Sequence, residues 1–218
     1  MKKILVVLFL AGAGSAWGQL FEAWFNGGES LLSSRNLGSV YTADEGGAAN
    51  DYSLGDGFRF SFRIAFNNDS HFGHEIQYAY NRSSLTVQGL PLLVTQLTNG
   101  ESTTPTTQTS GMGIHMGGYN FLYYATTEGT RIRPFATGGV LFANYVPPGS
   151  SASGGGGSTK FGFSYGVGVK IKVTQLFGFR LDVRQATTPK PDFGGQITEL
   201  RSGWLKLNEV SAGVGVAF

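Results

Sequence analysis

The chain contains no cysteine, which excludes disulfide cross-links, thiolate nucleophiles and cysteine-ligated metals. It has only three histidines, and its one long apolar run lies at the N-terminus. Charged residues make up 14% of the chain, and the formal net charge is +2. Nucleic-acid binding needs a clustered basic face, and no segment of this sequence provides one. We therefore expect no nucleic-acid partner.

The N-terminus has the three parts of a secretory signal peptide. A Met-Lys-Lys start precedes an almost wholly apolar stretch, and small residues follow at the two positions that a signal peptidase reads. We expect a signal peptide over residues 1–18, since the apolar run is shorter than the ~20 residues of a membrane-spanning helix. Without its two lysines the mature chain, 19–218, has 14 basic and 14 acidic residues. That length is expected to form a single domain.

The segment from residue 57 to residue 66 alternates between bulky apolar side chains and smaller or cationic ones. A period of two is typical of a β-strand whose two faces meet different environments. The apolar positions are Phe58, Phe60, Phe62, Ile64 and Phe66, and the positions between them include Arg59, Ser61 and Arg63.

Similar alternation recurs about eight times in the secreted part of the chain. It predicts an all-β fold, an eight-stranded antiparallel up-and-down transmembrane β-barrel with an apolar outer face and an enclosed polar face. The mean hydropathy of −0.04 is compatible with this fold, because barrel strands expose only one side to lipid. The predicted strands are 20–27, 57–66, 72–82, 111–124, 131–145, 160–173, 177–186 and 205–218.

The connections between these strands alternate between long and short without exception. An up-and-down barrel with both termini in the periplasm has four long outer loops and three tight periplasmic turns, in this order. The long connections are rich in Gly, Ser and Thr, and they are either inert linkers or the site of an extracellular ligand. The long connections are 28–56, 83–110, 146–159 and 187–204, and the short ones are 67–71, 125–130 and 174–176.

Aromatic residues at the strand ends predict contact with outer-membrane lipids, because aromatic rings favour membrane–water interfaces. The topology places one set at the periplasmic rim and another at the outer rim. The periplasmic set is Phe21, Phe66, Phe72, Tyr123, Phe177 and Phe218, and the outer set is Phe58, Tyr80, Tyr145 and Phe161.

Strand parity also predicts which side chains lie inside the barrel. An isolated buried charge costs several kcal/mol, so bases and acids in a narrow lumen must pair or be hydrated. We expect the arginines at 59, 63, 180 and 184 to engage the acids at 22, 75, 182 and 209. The predicted ionic lumen comprises Glu22, Arg59, Arg63, Glu75, Arg133, Lys170, Lys172, Arg180, Asp182, Arg184 and Glu209, with Trp24 and Gln77 beside them.

This charged interior has two functional interpretations. It is either a polar plug that holds the barrel rigid or a narrow ion path, whose excess of bases would favour anions. The plug is the favoured interpretation, because eight strands leave an interior just wide enough for side chains to fill.

The sequence offers few candidate residues for a catalytic or metal site. His71 falls in a turn, His74 is expected to face outward, and His115 is expected to face inward. Ser70 beside His71 is a weak start for a hydrolase, because a tight turn is a poor place to hold a catalytic triad. No histidine pair has ligand spacing with a third donor. We therefore expect no enzymatic activity, no cofactor and no metal.

Three segments resemble bacterial outer-membrane β-barrel domain proteins, the small barrels similar in architecture to OmpA and OmpX. These segments are 131–135, 177–184 and 210–218, and the resemblance extends over the mature chain. It implies a bacterial outer-membrane location and insertion by the barrel-assembly machinery, for which Val214, Val216 and Phe218 resemble the recognition signal. Such families include structural tethers, adhesins and suspected small pores. The resemblance therefore implies a structural or surface-interaction role, then a narrow pore, and more distantly a lipid-modifying enzyme.

Overall fold

The computed structural model describes residues 21–41, 49–67, 71–89, 107–147, 157–193 and 199–217. The predicted signal peptide and Phe218 lie outside these ranges, so both remain predictions.

The described residues form ten strands in one antiparallel sheet that closes on itself. Eight long strands follow one another around a barrel, and the circle closes where β1 pairs with both β3 and β10. The predicted eight-stranded antiparallel barrel is therefore confirmed. The strands are β1 Phe21–Ser33, β2 Asn36–Tyr41, β3 Ala49–Asn67, β4 Phe72–Gly89, β5 Thr107–Tyr124, β6 Ile132–Val146, β7 Ser158–Lys172, β8 Phe177–Pro189, β9 Glu199–Leu200 and β10 Trp204–Ala217.

Two of the predicted long loops are wrong in extent. Within 28–56, β1 continues to Ser33, β2 follows, and β3 begins at Ala49. Within 83–110, β4 continues to Gly89 and β5 begins at Thr107. These extensions alternate weakly because they lie beyond the lipid-facing band, where both faces of a strand can be polar. Backbone pairing stabilises them without an apolar outer face.

The barrel has two different ends. The connections 125–131 and 173–176, together with both ends of the described chain, lie at one end, which we call the short-turn end. Here the hydroxyl of Thr174 accepts hydrogen bonds from the backbone N–H groups of Leu176 (3.2 Å) and Phe177 (2.8 Å). The opposite, long-loop end bears the extended parts of β3, β4 and β5 and the short strands β2 and β9.

The outer surface is apolar around the barrel. Phe62, Phe142, Phe179 and Val140 are between 47% and 64% exposed, although each lies in a paired strand. So much exposed apolar surface is unfavourable in water, and it fits a surface that contacts lipid. No helix in the described ranges is long and apolar enough to cross a membrane.

Tyr145 does not belong to this outer surface, so its predicted place at the outer rim is wrong. Its side chain is fully buried in the barrel, and its hydroxyl lies 2.6 Å from the hydroxyl of Thr188. The ring faces the interior because Tyr145 shares the inward face of β6 with Leu141 and Ala143, which pack in the same apolar cluster.

Glycines on β7 allow long side chains of β8 to fit inside the barrel. A methyl group added to Gly166 would lie 2.7 Å from Cγ of Arg184 and still closer to the backbone carbonyl of Val183. We expect Gly166→Ala to lower the free energy of unfolding by about 1–3 kcal/mol, because a paired backbone cannot move aside. Urea titration of the refolded protein measures this change.

Gly111 provides the matched control, since a methyl group added there would meet nothing within 4 Å. Gly111→Ala should change the free energy of unfolding by about 0.5 kcal/mol or less. Equal effects of the two substitutions would show that close packing against β8 is not what Gly166 provides.

Candidate functional site

The barrel interior brings together the charged side chains that strand parity placed there. Ten of the eleven are buried, and Lys172 is half-buried at the short-turn end. Small neighbours on adjacent strands leave room for them and for Trp24, as at Gly166 beside Arg184 and at Gly215, where an added methyl group would overlap the ring of Trp24.

A central cluster surrounds Asp182 and consists of Arg63, Glu75, Arg180, Asp182 and Arg184. Asp182 accepts from Nε of Arg180 at 2.8 Å and Nε of Arg184 at 3.1 Å, and lies 2.9 Å from Nη1 of Arg63. Glu75 accepts from Arg180 at 2.5 Å and from Arg184 at 2.9 Å. Two carboxylates therefore hold three guanidinium groups.

Glu209 links this cluster to Arg59. The carboxylate lies 2.6 Å from Nη2 of Arg63 and 3.0 Å from Nε of Arg59, and it accepts from the hydroxyl of Ser211 at 2.8 Å. Nη1 of Arg59 also approaches the sulfur of Met116 at 3.1 Å. Met116 belongs to the apolar half of the lumen, so Arg59 lies at the boundary between the two halves.

A second group lies nearer the short-turn end and consists of Glu22, Asn67, Tyr124, Arg133 and Lys170. Glu22 forms an ion pair with Lys170, so the expected pairing of Glu22 with an arginine is wrong. Lys170 also donates to the hydroxyl of Tyr124 at 2.6 Å, and that hydroxyl donates to Asn67 at 2.9 Å. Arg133 lies over the Tyr124 ring at 3.8 Å from its centre, a cation–π contact.

These groups leave little open space at the short-turn end. A cavity of about 20 Å³ there is lined by residues that include Glu22, Trp24, Arg133, Lys170 and Lys172. That volume holds about one water molecule.

The long-loop half of the lumen is filled by apolar side chains, which we call the apolar plug. Strand parity did not single it out, although Leu205 and Leu207 share the inward face of Glu209 and could have indicated it. The plug includes Leu32, Leu37, Leu54, Leu85, Met112, Ile114, Phe193, Leu205 and Leu207.

Phe193 enters the plug from the segment that follows β8. Its backbone has a φ of 48°, a left-handed conformation that costs about 1–2 kcal/mol, and its side chain is only 3% exposed. The neighbouring Asp192 accepts from the hydroxyl of Ser158 at 2.8 Å and pairs with Lys160 at 3.2 Å. These contacts lower the pKa of Asp192 below its ordinary value, the Ser158 hydrogen bond most of all. The segment that follows β8, up to Phe193, therefore covers the lumen at the long-loop end.

The histidines lie outside the lumen. His74 is within hydrogen-bonding contact of Tyr119, and Nδ1 of His115 lies 2.8 Å from the hydroxyl of Tyr78. The inward orientation expected for His115 is therefore wrong: it shares the outward face of β5 with Tyr119 and Tyr123. Met112, Ile114 and Met116 face the apolar plug, so apolar residues lie on both faces of this strand. The sequence alternation of β5 therefore does not show which face is the inward one.

Metal ligands do not gather in the described part of the chain, where no three His, Asp or Glu side chains lie close enough to hold an ion. The predicted assembly residues are on the last strand. Val214 is exposed on the outer face, Val216 is partly exposed, and Phe218 is outside the described residues.

A closed antiparallel barrel with an apolar exterior and an ion-paired interior has the architecture of an integral outer-membrane protein. The sequence matches the outer membrane protein beta-barrel domain family over residues 4–218. The chain belongs to this family, and its location is the bacterial outer membrane. A search of curated protein sequences finds no match.

Solved structures show the same fold at low sequence identity. Neisserial surface protein A (NspA) is 17% identical with a TM-score of 0.52, and the alignment covers 91% of this chain and 97% of that one. The outer membrane protein OprG from Pseudomonas aeruginosa is 12% identical with a TM-score of 0.55, covering 92% of this chain and 97% of that one. At these identities the likeness shows the fold alone.

Proposed function

We propose that the protein is an outer-membrane barrel with a structural or surface-interaction role, whose lumen is plugged. The observation that supports this proposal is the succession of groups along the lumen. From the short-turn end, the Glu22–Lys170 pair is followed by the central cluster around Asp182 and then by the apolar plug. A hydrated ion would have to break buried ion pairs and then cross an apolar layer, and each step is costly.

Its outer loops are the proposed interaction sites. A membrane-crossing strand needs about 9–11 residues, whereas β3 has 19 and β4 and β5 have 18 each. The extra length lies at the long-loop end, which faces outward in barrels of this kind. The paired extensions of β4 and β5 therefore continue beyond the membrane surface, and the connection between them, 90–106, is the proposed contact for an extracellular ligand.

Two further proposals concern how the protein reaches the membrane. Residues 1–18 direct secretion and are removed, leaving 19–218 as the barrel domain. The barrel-assembly machinery then recognises the last strand through Val214, Val216 and Phe218.

The second candidate function is a narrow, weakly anion-selective pore or small-solute channel. It is favoured by the excess of bases in the lumen, where seven cationic side chains accompany four carboxylates. A pore would give chloride flux into protein-containing vesicles, and that flux would fall in Arg184→Gln. A lipid-modifying enzyme is a more distant alternative, and we propose no catalytic role.

Replacing 90–106 with a two-residue Asn-Gly turn tests the surface role. Bacteria that express this variant should lose adhesion to immobilised matrix proteins and polysaccharides, while the barrel still shows heat-modifiable gel migration. The same replacement of 148–156, a second proposed loop, shows which of the two connections carries the adhesion. Unchanged adhesion after removal of both connections, singly and together, would refute a surface role for these loops.

A further inference from the structure

A shallow depression at the short-turn end lies between two neighbouring turns, 125–131 and 173–176. Its volume is about 610 Å³, and it is open to solvent. The two turns are joined where the N–H of Lys172 donates to the carbonyl of Arg131 at 2.8 Å. The lining residues are Gly129, Arg131, Lys172, Val173, Thr174 and Gln175.

The depression and the rim beside it are rich in positive charge. Among the described side chains that reach solvent at this part of the rim, the two cations Arg131 and Lys172 outnumber the one carboxylate, Glu128. Deeper in the lumen, Lys170 pairs with Glu22, and Arg133 is buried over the ring of Tyr124. An anion placed here therefore meets a favourable potential.

Thr174 adds a hydrogen-bond donor. Its hydroxyl oxygen accepts from the two backbone N–H groups of Leu176 and Phe177. The hydroxyl hydrogen is left to donate, and the side chain is exposed in the depression. A phosphate oxygen is a suitable acceptor for such a donor beside cationic groups.

Apolar side chains flank the depression on the lipid side. Ile132 is 53%, Val173 52% and Phe177 55% exposed, and all three belong to the apolar outer surface of the barrel. A molecule that fills the depression can therefore extend an acyl chain along this surface. Charge complementarity and continuity with the lipid-facing surface point to one kind of occupant.

We propose that the depression between these turns binds the headgroup of an anionic phospholipid of the adjacent leaflet. Arg131 and Lys172 face the phosphate, Thr174 donates to it, and the acyl chains lie against Ile132 and Phe177. Basic pockets at membrane surfaces recognise anionic headgroups in this way, at about 1 kcal/mol for each Lys or Arg.

Lipid retention tests the proposal: the protein is extracted in mild detergent from vesicles of phosphatidylethanolamine with a fraction of phosphatidylglycerol, and the lipids that remain bound are quantified. Wild-type protein should prefer phosphatidylglycerol. Arg131→Gln should reduce that preference by about fivefold, the factor expected for one surface cation. Arg82→Gln is the matched control, because Arg82 is exposed on β4 at the opposite end of the barrel, and it should leave the preference near the wild-type value.

Glu128→Gln tests the same site in the opposite direction. It removes a carboxylate that lies near Arg133 and Lys172, so the preference for phosphatidylglycerol should increase. An increased preference cannot result from misfolding.

Three results would overturn the proposal. The first is equal binding of phosphatidylglycerol and phosphatidylethanolamine by the wild-type protein. The second is an equal loss of preference in Arg131→Gln and Arg82→Gln, which would indicate only general surface charge. The third is displacement of the lipid by excess glycerol phosphate, which would identify a site for a free anion.

Discussion

Asp182→Asn is expected to lower the free energy of unfolding by about 3–5 kcal/mol, the usual cost of removing one partner from a buried ion pair. The substitution keeps the shape of the side chain but removes its charge. Asp182 is 2% exposed and lies within 3.1 Å of three arginines, Arg63, Arg180 and Arg184. Without it, Glu75 and Glu209 must compensate the same guanidinium groups alone. Urea titration of refolded protein in lipid vesicles measures the change.

Asp56→Asn is the matched control, because Asp56 also pairs with an arginine. Its partner is Arg35 at 2.7 Å, but the two side chains are 38% and 49% exposed. Exposed ion pairs contribute about 0–1 kcal/mol, so this variant should unfold nearly as the wild type does. A loss below 1 kcal/mol in Asp182→Asn as well would show that the central cluster does not stabilise the barrel.

Phe62→Arg is expected to destabilise the membrane-inserted barrel by about 2–4 kcal/mol, the cost of an arginine at the middle of the lipid-facing band. Phe62 is 47% exposed and is the central one of the five outward apolar residues of β3 between Phe58 and Phe66. A guanidinium group there has no water or counter-ion within easy reach. Reversible unfolding from vesicles measures the loss.

Phe58→Arg makes the same chemical change at the edge of this band. Phe58 is 59% exposed, and the next outward residue along the strand is the charged Asp56. The cost of arginine falls to about 0–1 kcal/mol near an interface, so this variant should be much the milder of the two. Equal losses at both positions would contradict the assignment of Phe62 to the bilayer interior.

The barrel could be predicted from the sequence because each membrane-crossing strand alternates with a period of two. The parity of Arg59 and Arg63 follows directly from their apolar neighbours, and so does that of Arg180 and Arg184. Parity fails on β5 because apolar side chains occupy both faces there, which is why His115 was misplaced. It indicates which side chains point inward, but not which of them meet across the lumen.

Strand parity does not predict the ion-pair partners or the apolar plug. Glu22 on β1 meets Lys170 on β7, and these strands are not adjacent in the sheet. Their contact depends on barrel width and strand stagger, which no local pattern encodes. Leu37 and Phe193 lie outside the predicted strands, so no periodicity indicated that they enter the plug. Such contacts become visible only after the chain has closed into a barrel.

Single-channel recording of the purified, refolded full-length protein in a planar bilayer tests most directly whether the lumen is closed. The ion pairs around Asp182 and the apolar plug above them predict a conductance at the background level at moderate voltage. Heat-modifiable gel migration of the same sample confirms that the barrel is folded. Discrete, anion-selective conductance steps from that sample would contradict the closed lumen and favour the pore.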